Sequence, residues 1–142
     1  MVPALRPGEI LYVRQPAARQ APRRSDIAFL RFQRTPRGRF VKRIVGCPGE
    51  HVSVRGARVF VNGEALPEPY LDERSALEPK PDAEWRLGKD QFIVLGDARD
   101  DSLDSRSFGP VAPHEIQGIV RFRLWPLRRL GPLGFSANER SA

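Results

Sequence analysis

No apolar run in this chain is longer than a short strand. Hydrophobic residues gather in seven runs: Glu9 to Val13, Ile27 to Phe32, Phe40 to Val45, Val52 to Val54, Arg58 to Val61, Gln91 to Leu95 and Gly118 to Leu124. Most are cut off by Pro, Gly or Asn-Gly. Runs of this length suit β-strands and are too short for buried helices. Pro7-Gly8-Glu9 and Pro48-Gly49-Glu50 each read as a turn that launches a strand, and Arg55-Gly56-Ala57 as the close of a hairpin. In the last run Val120, Phe122 and Leu124 alternate with Arg121 and Arg123, which predicts one buried face and one wet, cationic face. Helix is scarce. Pro113-His114-Glu115-Ile116 can start one short turn, because the missing proline N–H costs nothing there.

With 142 residues, 14 Pro and 12 Gly, the pattern predicts a single all-β domain over 1–142, an antiparallel, partly closed β-barrel or sandwich. Gln15 to Asp26 reads as a loop. The stretch 64–84, with seven anions and two cations, reads as a short acidic insertion projecting from the barrel, and 125–142 as a C-terminal tail. One cysteine, Cys47, excludes an internal disulfide and a Cys-based zinc site. His51 and His114 are too few for a His-rich metal centre, so neither metal nor cofactor is expected. No run reaches the ~18–20 apolar residues of a membrane-spanning helix, and the chain as written reads as soluble.

Charge distribution is uneven. The net charge is +7, and residues 1–43 carry eleven cations against two anions. Such a basic end can meet nucleic acid or an anionic membrane, or it can reflect arginine bias with no partner. Interleaved aromatics would favour nucleic acid, but Phe29, Arg31 and Phe32 supply only a weak version, so none is expected.

Lys42 stands out because only three of the 24 cations are lysine. In Phe40-Val41-Lys42-Arg43-Ile44-Val45 the strand period sends one of the two charges toward an apolar face. Arginine keeps its proton in a protein, whereas a desolvated lysine can fall from ~10.4 to ~7–8 and serve as a general base. The same pattern also suits a lysine whose stem lies over a sheet edge with its charge in water. The loop Gly96 to Arg106 holds four aspartates within eight residues. It lacks the spacing, glycine and terminal glutamate of an EF-hand and reads as a salt-bridged, hydrogen-bonded loop. Cys47 with His51 as base is formally a nucleophile pair, although a lone Cys beside a strand is more commonly a small hydrophobe. No Gly-x-Ser-x-Gly elbow is present to seat a Ser/His/Asp triad.

Three separated segments carry a family resemblance. Val41-Lys42-Arg43-Ile44-Val45-Gly46-Cys47-Pro48-Gly49-Glu50 resembles the lysine box of bacterial type I signal peptidases. Gly96 to Arg106 with Phe108-Gly109-Pro110-Val111 is similar to that family's glycine–aspartate box, and Arg121-Phe122-Arg123-Leu124-Trp125-Pro126-Leu127 to its C-terminal strand. Met1-Val2-Pro3-Ala4-Leu5-Arg6-Pro7-Gly8-Glu9 resembles the box that carries the nucleophilic serine, from its second residue onward. The serine would stand immediately before Met1. On this resemblance the chain either starts at a methionine internal to a longer gene or is a natural or engineered truncation, and as written it is inactive for want of the nucleophile.

The resemblance implies a Ser/Lys dyad endopeptidase that removes signal peptides from exported preproteins. Lys42 would be the general base, buried as a neutral amine, and Ser102 would orient it. Asp97, Asp104 and Arg106 would support the loop, with Ala98 and Asp101 replacing two usual asparagines. Met1, Leu5, Phe40 and Val41 would wall shallow pockets for the small residues of the cleavage site. The full-length protein would sit in the cell membrane with this domain extracytoplasmic, and Trp125, Leu127, Leu130, Leu133 and Phe135, with Arg128 and Arg129, would rest on the membrane surface. The rivals are a specialised processing peptidase of the same superfamily and a non-catalytic basic β-barrel that binds nucleic acid or lipid.

Overall fold

The structure, a computed structural model, describes residues 1–15, 21–32, 38–71 and 81–133. Its strands are β1 (Ile10–Arg14), β2 (Ile27–Arg31), β3 (Arg39–Gly46), β4 (His51–Arg55), β5 (Arg58–Val61), β6 (Glu64–Ala65), β7 (Ala83–Arg86), β8 (Ile93–Leu95), β9 (Ile116–Trp125) and β10 (Gly131–Pro132). One helical turn, α1 (Ser105–Phe108), and 3-10 turns at Pro113–Glu115 and Leu127–Arg129 complete the elements. All seven apolar runs carry strands. Among the described residues, no helix is long and apolar enough to cross a membrane.

Among the described residues two open antiparallel sheets form, and neither closes into a barrel. The larger has the order β1-β9-β2-β3-β8, with β10 on β9, and the smaller the order β6-β5-β4-β7. The tight turn Cys47–Glu50 carries the chain from one to the other, with Gly49 at φ 81°, a conformation glycine adopts without a side-chain clash. Val45, Ile93 and Leu95 from the larger sheet pack with Val52, Val54, Val59 and Val61 from the smaller. A second cluster, including Ala28, Leu30, Ile44, Val94 and Ile119, lies on the other face of the larger sheet. On β3 the alternation sends Phe40 and Ile44 to this second cluster, and Val45 to the junction between the sheets.

β3 is paired unevenly. Arg39 to Arg43 pair with β2, whereas β8 joins only from Arg43 onward. Among the described residues, no strand pairs with that edge of β3 at Phe40 and Val41.

The alternation predicted for the last run is overturned. Val120 is buried, but Phe122 and Leu124 are each 45% exposed, and it is Arg123 that is buried. Tyr12 pairs with Phe122 and the next residue, Val13, pairs with Val120, so Arg121 is an extra residue in β9. Such a bulge moves every later side chain to the opposite face. Arg123 then turns inward, where Glu9 and the carbonyls of Ala4 and Arg129 accept its N–H groups.

The acidic stretch also departs from expectation, since its described ends belong to the fold rather than projecting from it. Glu64 and Ala65 form β6, Ala83 to Arg86 form β7, and Val52 pairs with Trp85. The Glu68 side chain is buried. Residues 72–80 lie outside the described residues.

Candidate active site

Lys42 lies half-buried on β3, where Ala28 of β2 is its cross-strand neighbour. Its Nζ donates to Ser102 Oγ over 2.8 Å. Ser102 in turn hydrogen-bonds Asp104, which also accepts from the Gly96 N–H at 3.1 Å. This leaves the serine hydroxyl one acceptor role, toward the lysine, and one donor role, toward the carboxylate. Gly96 makes the approach possible. A Cβ there would lie 2.1 Å from Ser102 Oγ and 3.5 Å from Lys42 Nζ. Any other residue would push the serine off the lysine.

Asp104 caps α1 through the Arg106 N–H, and the Arg106 side chain forks onto it at 2.9 and 2.7 Å. Burial raises the Asp104 carboxyl pKa. The hydrogen bonds from Arg106, Gly96 and Ser102, together with the Arg106 charge, more than offset this and hold it below the ordinary carboxylate value.

Of the three cations on β3, Arg39 is exposed, Lys42 half-buried and Arg43 buried. Arg43, next to Lys42, is 4% exposed and forks onto fully buried Asp97 at 2.9 and 2.8 Å, with a third donor on the Ser25 carbonyl. A buried pair of this kind stands only because its donors and acceptors are matched.

Met1 lies close to this cluster. Its amino group is held below the ordinary value first by burial and then by the Lys42 charge, with Asp97, Arg43 and Asp101 also acting on it. The expected wall residues divide between two places. Met1, Leu5 and Val41 pack together with Ile27 and Val120. Phe40 points to the other side of β3, into an aromatic group with Phe32 and Phe108, where Leu103 and Pro110 complete a cleft.

Sequence reasoning placed Arg99 in a salt-bridged loop without finding its partner, and assigned no role to Glu68 or Tyr70. Arg99 is 2% exposed; its Nε donates to the Gly96 carbonyl at 3.0 Å, Nη1 to Ala57 O at 2.7 Å, and both terminal nitrogens to Glu68. Tyr70 donates to Glu68 Oε1 at 2.7 Å, and Arg43 stacks 3.8 Å from the centre of its ring. The only sequence signal was a tyrosine and an acid beside two prolines, which by itself reads as a turn.

The remaining candidates lie elsewhere. Burial first, then the Glu50 charge, pushes the Cys47 thiol above its ordinary value, contrary to the needs of a nucleophile. His51 pairs with Glu84 at 2.6 Å across β4 and β7. Among the described residues, no group of three or more His, Cys, Asp or Glu converges on a possible metal position.

By architecture the chain is a mostly β domain of two open antiparallel sheets with a lysine–serine contact at β3. A family model described as signal peptidase, peptidase S26, matches residues 1–125, and the chain belongs to that family. A signal peptidase I of Leptolyngbya laminosa is 43% identical over 98 residues, covering 67% of this chain and 45% of that protein. The signal peptidase I of Bacillus caldolyticus is 34% identical over 141 residues, covering 91% and 76%. The crystal structure of a signal peptidase I from Enterococcus faecalis superposes with a TM-score of 0.60 at 31% identity, covering 70% of this chain and 97% of that one. The chain spans a little under half the length of the Leptolyngbya protein and of a probable signal peptidase I-2 of Synechocystis, 45% in each case.

Proposed function

We propose that this domain is the catalytic part of a serine endopeptidase that removes signal peptides from exported preproteins with a Ser/Lys dyad. The observation that carries the reading is the 2.8 Å contact between Lys42 and Ser102, with the Met1 nitrogen close enough for the Lys42 charge to act on it. A serine joined to that nitrogen brings its hydroxyl into the same neighbourhood. As the serine oxygen attacks the scissile carbonyl, neutral Lys42 takes its proton and then delivers it to the leaving amine. Water, deprotonated by the same lysine, releases the acyl group. Ser102 keeps the amine aimed, Asp104 and Arg106 hold Ser102, and Asp97 holds Arg43.

The edge of β3 that no described strand covers at Phe40 and Val41 offers main-chain groups to an extended peptide. Met1, Leu5 and Val41, which pack together beside it, would wall the pockets for the small side chains of an A-x-A cleavage site. A membrane surface is the second partner. Ile10, Tyr12, Phe122, Leu124, Trp125, Leu127 and Leu130 are all exposed, and Tyr12 and Phe122 face each other across β1 and β9. Arg128 and Arg129 follow directly in the chain. Exposed apolar side chains flanked by arginine favour the headgroup boundary of an anionic bilayer. Leu133 instead packs inward, and Phe135 lies outside the described residues. The reading places the domain on the extracytoplasmic face of the cell membrane.

The test uses a chain with serine directly ahead of Met1 and a peptide carrying an Ala-x-Ala site. Cleavage that disappears in Lys42→Ala supports the dyad, and undiminished cleavage refutes it. A salt-sensitive gel shift with DNA or RNA would favour the binding-module alternative instead.

A further inference from the structure

The Lys42–Ser102 contact is braced from outside by a segment that belongs to neither of their elements. Glu68 and Tyr70 sit in Pro67-Glu68-Pro69-Tyr70, where the acidic stretch begins. Through Arg99, Glu68 reaches the Gly96 carbonyl, on the residue whose missing side chain makes room for Ser102. Arg106 adds to the same side by donating to the Arg99 carbonyl at 2.8 Å. Through Tyr70, Glu68 reaches Arg43, the neighbour of Lys42. One carboxylate therefore ties the serine loop and the lysine strand to a common point.

The chemistry of each link suits a permanent brace. Arg99 cannot lose its proton, and its side-chain hydrogen bonds go to two carbonyls and Glu68. The Tyr70 hydroxyl is pushed well above its ordinary value by burial, then by the Glu68 charge, and so remains a donor at any working pH. The tyrosine ring covers the Arg43 guanidinium and keeps water from it.

We propose that Glu68 and Tyr70 are positioning residues for the dyad: they fix the Gly96–Ser102 loop against β3 and keep the surroundings of Lys42 dry enough for a neutral amine. The proposal rests on the reading of Lys42 as the general base. Without the brace, the Gly96–Ser102 loop, which Asp97 ties to Arg43 on β3, loosens over Lys42; water then reaches the amine and the ammonium form regains its hydration. A strut that served stability alone would leave the lysine proton where it was.

The small number of lysines makes this measurable. A sample labelled with 13C and 15N only in lysine gives three side-chain signals, for Lys42, Lys80 and Lys89, and Lys42→Arg assigns the first by its loss. The pH midpoint of the Lys42 signal is followed in the parent chain, Glu68→Gln, Tyr70→Leu and Tyr70→Phe. Glu68→Gln and Tyr70→Leu are expected to raise the midpoint by about one pH unit, a roughly tenfold loss of neutral amine at a fixed pH below it. Tyr70→Phe keeps the ring over Arg43 and is expected to retain most of the parent behaviour.

In the serine-preceded chain, kcat at neutral pH falls by a similar factor in Glu68→Gln and Tyr70→Leu, recovers at higher pH, and KM stays constant. An unchanged midpoint in the folded variants overturns the proposal. If Glu68→Gln does not fold, the two Tyr70 variants decide, since Tyr70 contributes only a hydroxyl and a ring. Lys42→Ala separates the two levels. Cleavage surviving that change removes the base reading, whereas cleavage lost there with Lys42 unmoved in the Tyr70 variants removes only the brace.

Discussion

The surroundings of Lys42 and the outer edge formed by β1 and β9 treat polarity in opposite ways. Around Lys42, Arg43, Asp97, Arg99, Asp104 and Ser102 are all buried, and each charge meets a partner. At the β1–β9 edge, Ile10, Tyr12, Phe122, Leu124 and Trp125 face solvent, while Arg123 is drawn inside. Both regions invert the ordinary distribution of residues. The difference lies in what each inversion requires. Buried charges demand that every partner be in place, so the lysine region is rigid and intolerant of change. Exposed apolar side chains demand nothing of the fold and can be altered at little cost to it.

The sharpest way to break the contrast is at Asp97. Asp97→Ala leaves the Arg43 guanidinium buried without a carboxylate, and urea denaturation is expected to show a loss of about 3–5 kcal/mol. Gly96→Ala comes next. Its Cβ would overlap Ser102 Oγ; the strain is expected to cost about 1–3 kcal/mol, measured by the same denaturation. In the serine-preceded chain, the displaced dyad should lower cleavage by about a hundredfold.

A third measurement follows stability against pH. Because the Asp104 carboxyl is held below its reference value of 3.8, its contribution is complete above that value and is lost as pH falls through the lower folded value. Asp104→Asn should therefore flatten the acid limb of the stability profile below about pH 4, where linkage from this group acts. At the other region, Phe122→Ser with Leu124→Ser should move stability by no more than roughly 0.5 kcal/mol per site. The same pair should lower binding to anionic vesicles in a flotation assay by about tenfold or more, from the apolar area no longer transferred. Equal vesicle binding by this pair would remove the membrane face from the reading.

The strands were legible because alternation and turn residues are local. All seven apolar runs became strands, and the Lys42 and Gly96–Arg106 segments stand together as their motifs implied. What sequence could not reveal depends on one extra residue or on a distant partner. The bulge at Arg121 has no local signature, yet it reversed the faces of Phe122, Arg123 and Leu124. Glu68 lies 31 residues from Arg99, and Glu9 lies 114 from Arg123. Composition shows that such charges exist, but only the fold can pair them. Phe40 and Val41 illustrate the same limit at short range: adjacent residues on a strand face opposite ways and line different clusters.

The strand order has a consequence for how the molecule comes into being. β9, the last long strand, lies between β1 and β2, the first two. The sheet edge that holds Met1 and Leu5 therefore stays unfinished until residue 125 has emerged, and Arg123 must arrive before Glu9 and the Ala4 carbonyl have their partner. Contacts of such long range close late and slowly. A ribosome-bound chain would thus carry β1 and β2 apart until β9 (Ile116–Trp125), the strand that joins them, had been made.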